Sequence, residues 1–258
     1  MNTSSLDYET LHVEITDTIC RVRFDRIEAG NTINAQMIRE FDALLRICEG
    51  DSSSPVSILV LEGTKEVYCA GGDFEATAET STPEDPEPLY DLWCRLATGP
   101  FVTISVVEGR ANAGGMGFIA ASDIVLAGNQ ATFSLSELLF GLFPACVLPF
   151  LIRRIGFQKA NYLTLMTRPI GVEEATSWGL VDAAGDQVNT LLNQHLVRLR
   201  YLDKSAIARY KEYMAQGTEI LKTQKPLALA ANRDMFSDPE IQANIKRYVT
   251  ELKFPWEP

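Results

Sequence analysis

The chain has 258 residues, 46% of them hydrophobic, with 23 basic against 34 acidic side chains and a formal net charge of −11. That length suits one large domain with an ample core, and the acidic balance argues against nucleic acid or anionic membranes, which need a positive field. No apolar run of about 18 residues, no signal-peptide pattern and five scattered cysteines without a CxxC pair together predict a cytoplasmic protein without a metal site.

Leu11, Val13 and Ile15 alternate, Ile19, Val22 and Phe24 follow, and Thr16-Asp17-Thr18 between them predicts a hairpin. Asn34 stands where it can cap a helix over 35–48, whose Met37, Ile38, Phe41, Leu44, Leu45 and Cys48 share one face. Val56–Leu61 reads as a strand, and a first glycine turn, Gly71-Gly72, follows in Val67–Phe74. Residues 75–88 are acidic and carry three prolines, which predicts a mobile surface loop. A helix is expected over 89–96, and after Pro100 a strand, Val102–Val107.

That strand feeds the densest glycine turn of the chain, Gly109 to Phe118, with Gly114, Gly115 and Gly117 inside four positions. Without a Cβ, backbone N–H groups can approach a ligand closely, and at a helix start they have no internal partner and favour negative charge. The turn therefore either holds an anion (phosphate, carboxylate or an enolate oxyanion) or packs a helix tightly on a strand. Strands are expected again at 123–127 and 131–134. Helices follow over 147–155, 157–166, 172–178, 186–201, 204–222, 225–235 and 238–252. Strands interleaved with helices, then helices alone, predict an α/β core with a C-terminal helical part.

Four blocks in order and register carry a resemblance: Cys69–Asp73 (CAGGD), Val102–Val107 leading to Gly115 and Ser122–Ile124, Phe133–Pro144 (FSLSELLFGLFP), and Gly156–Asp182 ending ATSWGLVD. Over roughly residues 10–190 the chain resembles the crotonase (enoyl-CoA hydratase/isomerase) superfamily. NTIN at 31–34, EPLYDLW at 87–93, FSLSELLFGLFPACVLPFLIRRIG at 133–156 and an ending DMFSDP…RYV…FPWE are similar to one subgroup. These are the dehydratases of polyketide β-branching cassettes, which act on 3-hydroxy-3-methylglutaryl groups held on the phosphopantetheine of an acyl carrier protein. The resemblance implies a ββα spiral core over 1–190 and a C-terminal helical trimerisation region over 191–258. It further implies a homotrimer or hexamer, an acyl carrier protein partner, and no cofactor beyond the carrier's own arm.

By the same resemblance Gly72 and Gly114 supply the two oxyanion-hole N–H groups, and Glu137 is the catalytic acid/base. The chemistry agrees: a thioester α-proton cannot be removed unless preorganised donors hold the developing oxyanion, each worth about 2.7–4 kcal/mol. The apolar neighbours of Glu137 (Leu135, Leu138, Leu139 and Phe140) should raise its pKa toward neutrality; otherwise it is only an acidic charge at a helix start. The chain departs from the hydratases at Gly117, where they carry a first catalytic glutamate.

Other assignments stay open. Asn112 either contacts substrate or holds the turn; Asp73 or a water assists the hydroxyl; Tyr90 and Trp93 line the acyl pocket or belong to the core. Arg110 and Lys65 are candidates for a distal carboxylate. Arg153, Arg154 and Lys159, with Arg198, Arg200, Lys204, Arg209 and Lys211, are candidates for docking the acidic carrier or else form solvated helix faces. His12 and His195 have no nucleophile nearby in sequence, which leaves a Ser–His–Asp hydrolase unsupported.

Overall fold

Strand 58–62 is apolar at successive positions because both of its faces are covered. Leu59 and Leu61 enter the main core, whereas Ile58 and Val60 enter a second cluster on the far side of the sheet. A computed structural model describes residues 3–50, 55–79, 84–217 and 219–257. In chain order it contains β1 (Thr3–Asp7), β2 (Leu11–Thr16), β3 (Ile19–Phe24), α1 (Ala35–Glu49), β4 (Ile58–Glu62), β5 (Val67–Cys69), α2 (Phe74–Glu79) and α3 (Glu87–Thr98). Then come β6 (Val102–Val107), β7 (Arg110–Asn112), α4 (Gly115–Ala121), β8 (Ile124–Ala127), β9 (Thr132–Ser134) and α5 (Leu148–Met166). The remainder is β10 (Ile170–Gly171), α6 (Val172–Ser177), β11 (Ala183–Ala184), α7 (Val188–Leu199), α8 (Lys204–Gly217), α9 (Ile220–Ser237) and α10 (Pro239–Glu251).

Two sheets result. The larger has the order β1-β2-β3-β4-β6-β8-β11, antiparallel through β3 and parallel beyond it; the smaller has the order β10-β9-β7-β5, with β9, β7 and β5 parallel. The expected hairpin forms, its closing pair Thr16↔Ile19 joined through Asp17 at φ 54°. Asn34 caps α1 by accepting the Met37 N–H at 2.9 Å. The main core lies between the larger sheet and α1, α3 and α4, and α7 covers the sheet's other face with Val188, Leu192 and Leu196.

Three expectations change. The acidic stretch is not loop throughout: Phe74–Glu79 is helical, α3 begins at Glu87, and residues 80–83 lie outside the described residues. The separate helices expected on either side of Gly156 run as α5, broken at Gly156 with φ 77°. The helix expected over 204–222 ends at Gly217, residue 218 is outside the described residues, and α9 begins at Ile220 with Pro226 inside it. The last helices pack on their own chain, α9 on α5 and α3, and α10 on α2 and on the 3₁₀ turn Glu137–Phe140.

Candidate active site

Parallel β5 and β7 deliver the two glycine turns side by side at their C-terminal ends. In each turn the residue before the candidate donor is left-handed: Gly71 has φ 108° and Ala113 has φ 48°. That reversal turns the next N–H away from the ladder. An alanine accepts such a conformation at a cost of about 1–3 kcal/mol when its surroundings enforce it. Here they do, because the Ala113 N–H donates to the Ser134 carbonyl at 3.1 Å and its carbonyl accepts from Met116 N–H at 2.9 Å. Among the described residues neither Gly72 N–H nor Gly114 N–H donates to a protein acceptor. The turns face each other: a Cβ at Gly114 would stand 3.6 Å from the Gly72 nitrogen, and one at Gly71 would stand 3.4 Å from the Gly114 nitrogen. At Gly72 itself a Cβ would meet nothing within 4 Å, so its environment is open space rather than packing. The packing reading of the second turn applies at Gly115, whose Cβ position is only 2.4 Å from the Cys69 carbonyl oxygen.

Glu137 opens the 3₁₀ turn after β9. Its Oε2 is buried and without a hydrogen-bond partner. Burial raises its pKa from 4.5 to about 7, against the lowering pull of its own and Ser136's N–H groups. The turn is fixed at both ends. Phe140 is buried against Phe74, Tyr248 and Phe254, and Gly141 closes the turn at φ 82°. At the near end, Asn112 Nδ2 donates to Ser136 Oγ at 2.9 Å and Asn112 Oδ1 accepts from Ser134 Oγ at 2.8 Å. Asn112 is therefore the clasp between the Gly114 turn and the Glu137 turn, the second of its two expected roles. Ser134 and Ser136, which complete the clasp, carry no signal in the sequence.

Asp73 is not free to move a proton. Its Oδ2 takes the Arg26 guanidinium at 2.8 Å, and its Oδ1 takes the Ala76 N–H at the start of α2. Burial pushes its pKa up, but Ala76 N–H, Arg26 and Thr32 outweigh that and the net shift is downward. Asp73 therefore anchors the Gly72 turn, with Arg26 as the partner that sequence reasoning missed. Tyr90 is fully buried, donating to the Leu221 carbonyl of α9 at 2.7 Å, so the pocket-lining expectation gives way to a core one. Trp93 is only 1% exposed, set edge-on against Phe118 and Phe150. Its ring fills the side-chain position of Gly117: a Cβ there would stand 2.3 Å from Cζ2 and 2.4 Å from Cε2.

The basic cluster disperses on folding. Arg154 bonds the carbonyls of Leu180 and Ser122 and the carboxylate of Asp182. Arg153 turns inward toward the Ala120 carbonyl, and burial lowers its pKa. Lys211 is buried on Asp123 and two carbonyls; Lys204 donates to the carbonyls of Cys48 and Gly50. The docking expectation is corrected for Arg153 and Arg154, since their guanidinium groups hold the fold together. Lys159, over the Trp178 ring at 4.8 Å, is exposed, as are Arg198, Arg200 and Arg209. Lys65 and Arg110 lie at the opposite ends of β5 and β7 from the glycine turns. Among the described residues no group of three or more His, Cys, Asp or Glu is placed to hold a metal, and no helix is long and apolar enough to cross a membrane.

The enoyl-CoA hydratase/isomerase family model matches residues 14–258. The chain is 52% identical over 255 residues to the bacillaene synthase dehydratase PksH of Bacillus subtilis, with 97% of each chain covered. The crystal structure of PksH from Bacillus subtilis, described as a polyketide biosynthesis enoyl-CoA hydratase, superposes with a TM-score of 0.93 at 51% identity, covering 96% of this chain and 100% of that one. An enoyl-CoA hydratase structure from Bacillus halodurans, at 21% identity, shares the fold with a TM-score of 0.83 over 92% of this chain and 99% of its own.

Proposed function

The chain belongs to the enoyl-CoA hydratase/isomerase family, and on that premise we propose that it is a hydro-lyase of polyketide β-branching. It converts 3-hydroxy-3-methylglutaryl acyl carrier protein to the 3-methylglutaconyl form and water. The observation that carries this reading is the Glu137 carboxyl, its Oε2 buried without a hydrogen-bond partner and its pKa raised to about 7, on a turn clasped through Asn112 to the one that carries the unused Gly114 N–H. Gly117, where a second carboxylate would stand in a hydratase, is filled by Trp93 instead. A dehydratase relative over nearly the whole chain supports the same choice.

In the proposed reaction the thioester oxygen lies between the N–H groups of Gly72 and Gly114. Glu137 takes the C2 proton, and the C–H electron pair moves into the enolate held by those donors. The enolate pair then forms the C2–C3 double bond as the C3–O bond breaks. Glu137 returns its proton to the departing oxygen, which leaves as water, and the carboxylate is regenerated. One carboxyl serves both steps because a pKa near the working pH lets it accept and then donate. The acyl group arrives on the carrier's phosphopantetheine, and the enzyme itself needs no further cofactor. Assembly as a homotrimer or hexamer, with 191–258 contributing the helical part of the interface, belongs to the same proposal, as does a cytoplasmic setting.

The test is mass spectrometry of 3-hydroxy-3-methylglutaryl carrier protein incubated with the enzyme. Loss of water is expected with wild type, and none with Glu137→Gln, while binding of the loaded carrier persists. Dehydration by the Gln variant at the wild-type rate would remove Glu137 from the chemistry.

A further inference from the structure

Among the described residues three buried side-chain polar atoms lack a hydrogen-bond partner: Arg21 Nε, Trp93 Nε1 and Glu137 Oε2. Arg21 is 40% exposed in its side chain and pairs with Glu62 through another nitrogen, and Glu137 is the proposed acid/base. Trp93 has neither excuse. A buried N–H without an acceptor is among the costlier features a fold can keep, and indole can only donate. The ring atoms nearest the Gly117 Cβ position are Cζ2, Cε2 and Cη2, at 2.3, 2.4 and 2.6 Å, and Nε1 is bonded to Cε2. The Cζ2–Cε2 edge of the indole thus lies against α4 at Gly117, three residues beyond Gly114 and on the same helix face as that donor, with Nε1 one bond from the contact. Tertiary packing fixes it there, between Phe118 and Phe150.

We propose that Trp93 Nε1–H donates a hydrogen bond to the C3 hydroxyl oxygen of the substrate, an inference that rests on the dehydratase reading above. The thioester oxygen already has two backbone donors, so the indole's natural acceptor is the other oxygen that reacts. A hydroxyl oxygen has two lone pairs: one takes the indole hydrogen bond while the other receives the proton from Glu137. As the C3–O bond lengthens, charge grows on that oxygen and the bond to Nε1–H strengthens. The indole gives up no proton. It cannot act as the base that activates a water, which a glutamate at position 117 could do.

The experiment uses two reactions of the full chain, wild type and Trp93→Phe. One is dehydration of 3-hydroxy-3-methylglutaryl carrier protein; the other is exchange of the C2 protons of a 3-methylglutaryl thioester in D₂O, which needs Glu137 and the oxyanion donors but offers no hydroxyl. The expected result is a kcat for dehydration about tenfold lower or more, with exchange and its KM unchanged within about twofold. Equal losses in both reactions, or a raised KM for the 3-methylglutaryl thioester, would mean a packing defect or a carboxylate contact and overturn the proposal. So would full dehydration by the variant. Replacing Trp93 with benzothienylalanine, which keeps the shape and substitutes sulfur for N–H, should reproduce the loss; retained activity there also overturns it. If wild type exchanges the C2 protons yet does not dehydrate the hydroxy substrate, the dehydratase reading itself fails and this role goes with it.

Discussion

Folding raises the Glu137 pKa from 4.5 to about 7 by desolvation, so the folded chain holds a proton that the unfolded chain has released between those values. Stability therefore falls as pH rises from about 4.5 and levels off only above about 7, once the buried carboxyl is ionised in the fold as well. The full penalty is of order 3 kcal/mol at most. Glu137→Gln, which never ionises, should show a thermal-melt advantage over wild type that is present at pH 8 and absent near pH 4. An advantage that does not change with pH would mean the carboxyl is not desolvated. In the proposed reaction the same pKa governs the pH profile: kcat/KM should rise with pH to a plateau above about 7, as the carboxylate that takes the C2 proton appears. Gly117 and Trp93 form a second residue-scale pair. A Cβ at 117 would lie 2.3 Å from the indole, so Gly117→Ala should cost about 1–3 kcal/mol by overpacking. Gly117→Glu should not fold stably unless Trp93 is also made small, a coupling that a double-mutant cycle in denaturant measures.

At the scale of elements, the Gly72 turn owes its position to an ion pair across 47 residues of chain, Arg26 with Asp73, whose side chains are 18% and 12% exposed. Arg26→Ala leaves a buried carboxylate unpaired at the start of α2, a loss of about 3 kcal/mol. Because Asp73's pKa is depressed in the fold, its contribution is present above the ordinary carboxylate range and is lost as pH falls. The variant's deficit in a denaturant melt should accordingly shrink in acid. The deficit should be accompanied by lower kcat, since the Gly72 N–H loses its anchor. This pair was illegible in the sequence, where nothing links residue 26 to residue 73. What was legible followed from local rules: the hairpin from alternation, α1 from its cap and apolar face, and both glycine turns from composition and order. Strands β7, β10 and β11, two or three residues long, carry no period that a pattern could reveal. Helix α2 escaped notice because an acidic stretch near several prolines reads as loop, whereas Asp73 supplies the start and α10 the cover. Tyr90 and Trp93 were visible only as an aromatic pair at i and i+3. Their different duties, one tied to the α9 carbonyl of Leu221 and one lying against Gly117, depend on partners distant in sequence.

At the scale of the whole molecule, the C-terminal helices act on the site. Ile245 is 1% exposed in a cluster with Phe140, Leu142, Ala145 and Met235, which Phe74, Ile241, Tyr248 and Phe254 flank. The cluster includes the far end of the Glu137 turn and the first residue of α2. Residues more than a hundred positions downstream thus hold the Glu137 turn and α2, which follows the Gly72 turn, in one apolar unit. The helical periodicity of 238–252 predicted a helix but not its address, because an amphipathic face does not specify the surface it will meet. Ile245→Ala opens a cavity in that unit and should cost about 2–4 kcal/mol. If the unit fixes Glu137, the loss will be catalytic as well: at a temperature where the variant is fully folded, kcat for dehydration should fall several-fold with KM for the carrier little changed. A variant that melts lower yet turns over at the wild-type rate would show α10 to be a stabilising strap alone, with the hold on Glu137 that matters coming through Asn112 and the two serines.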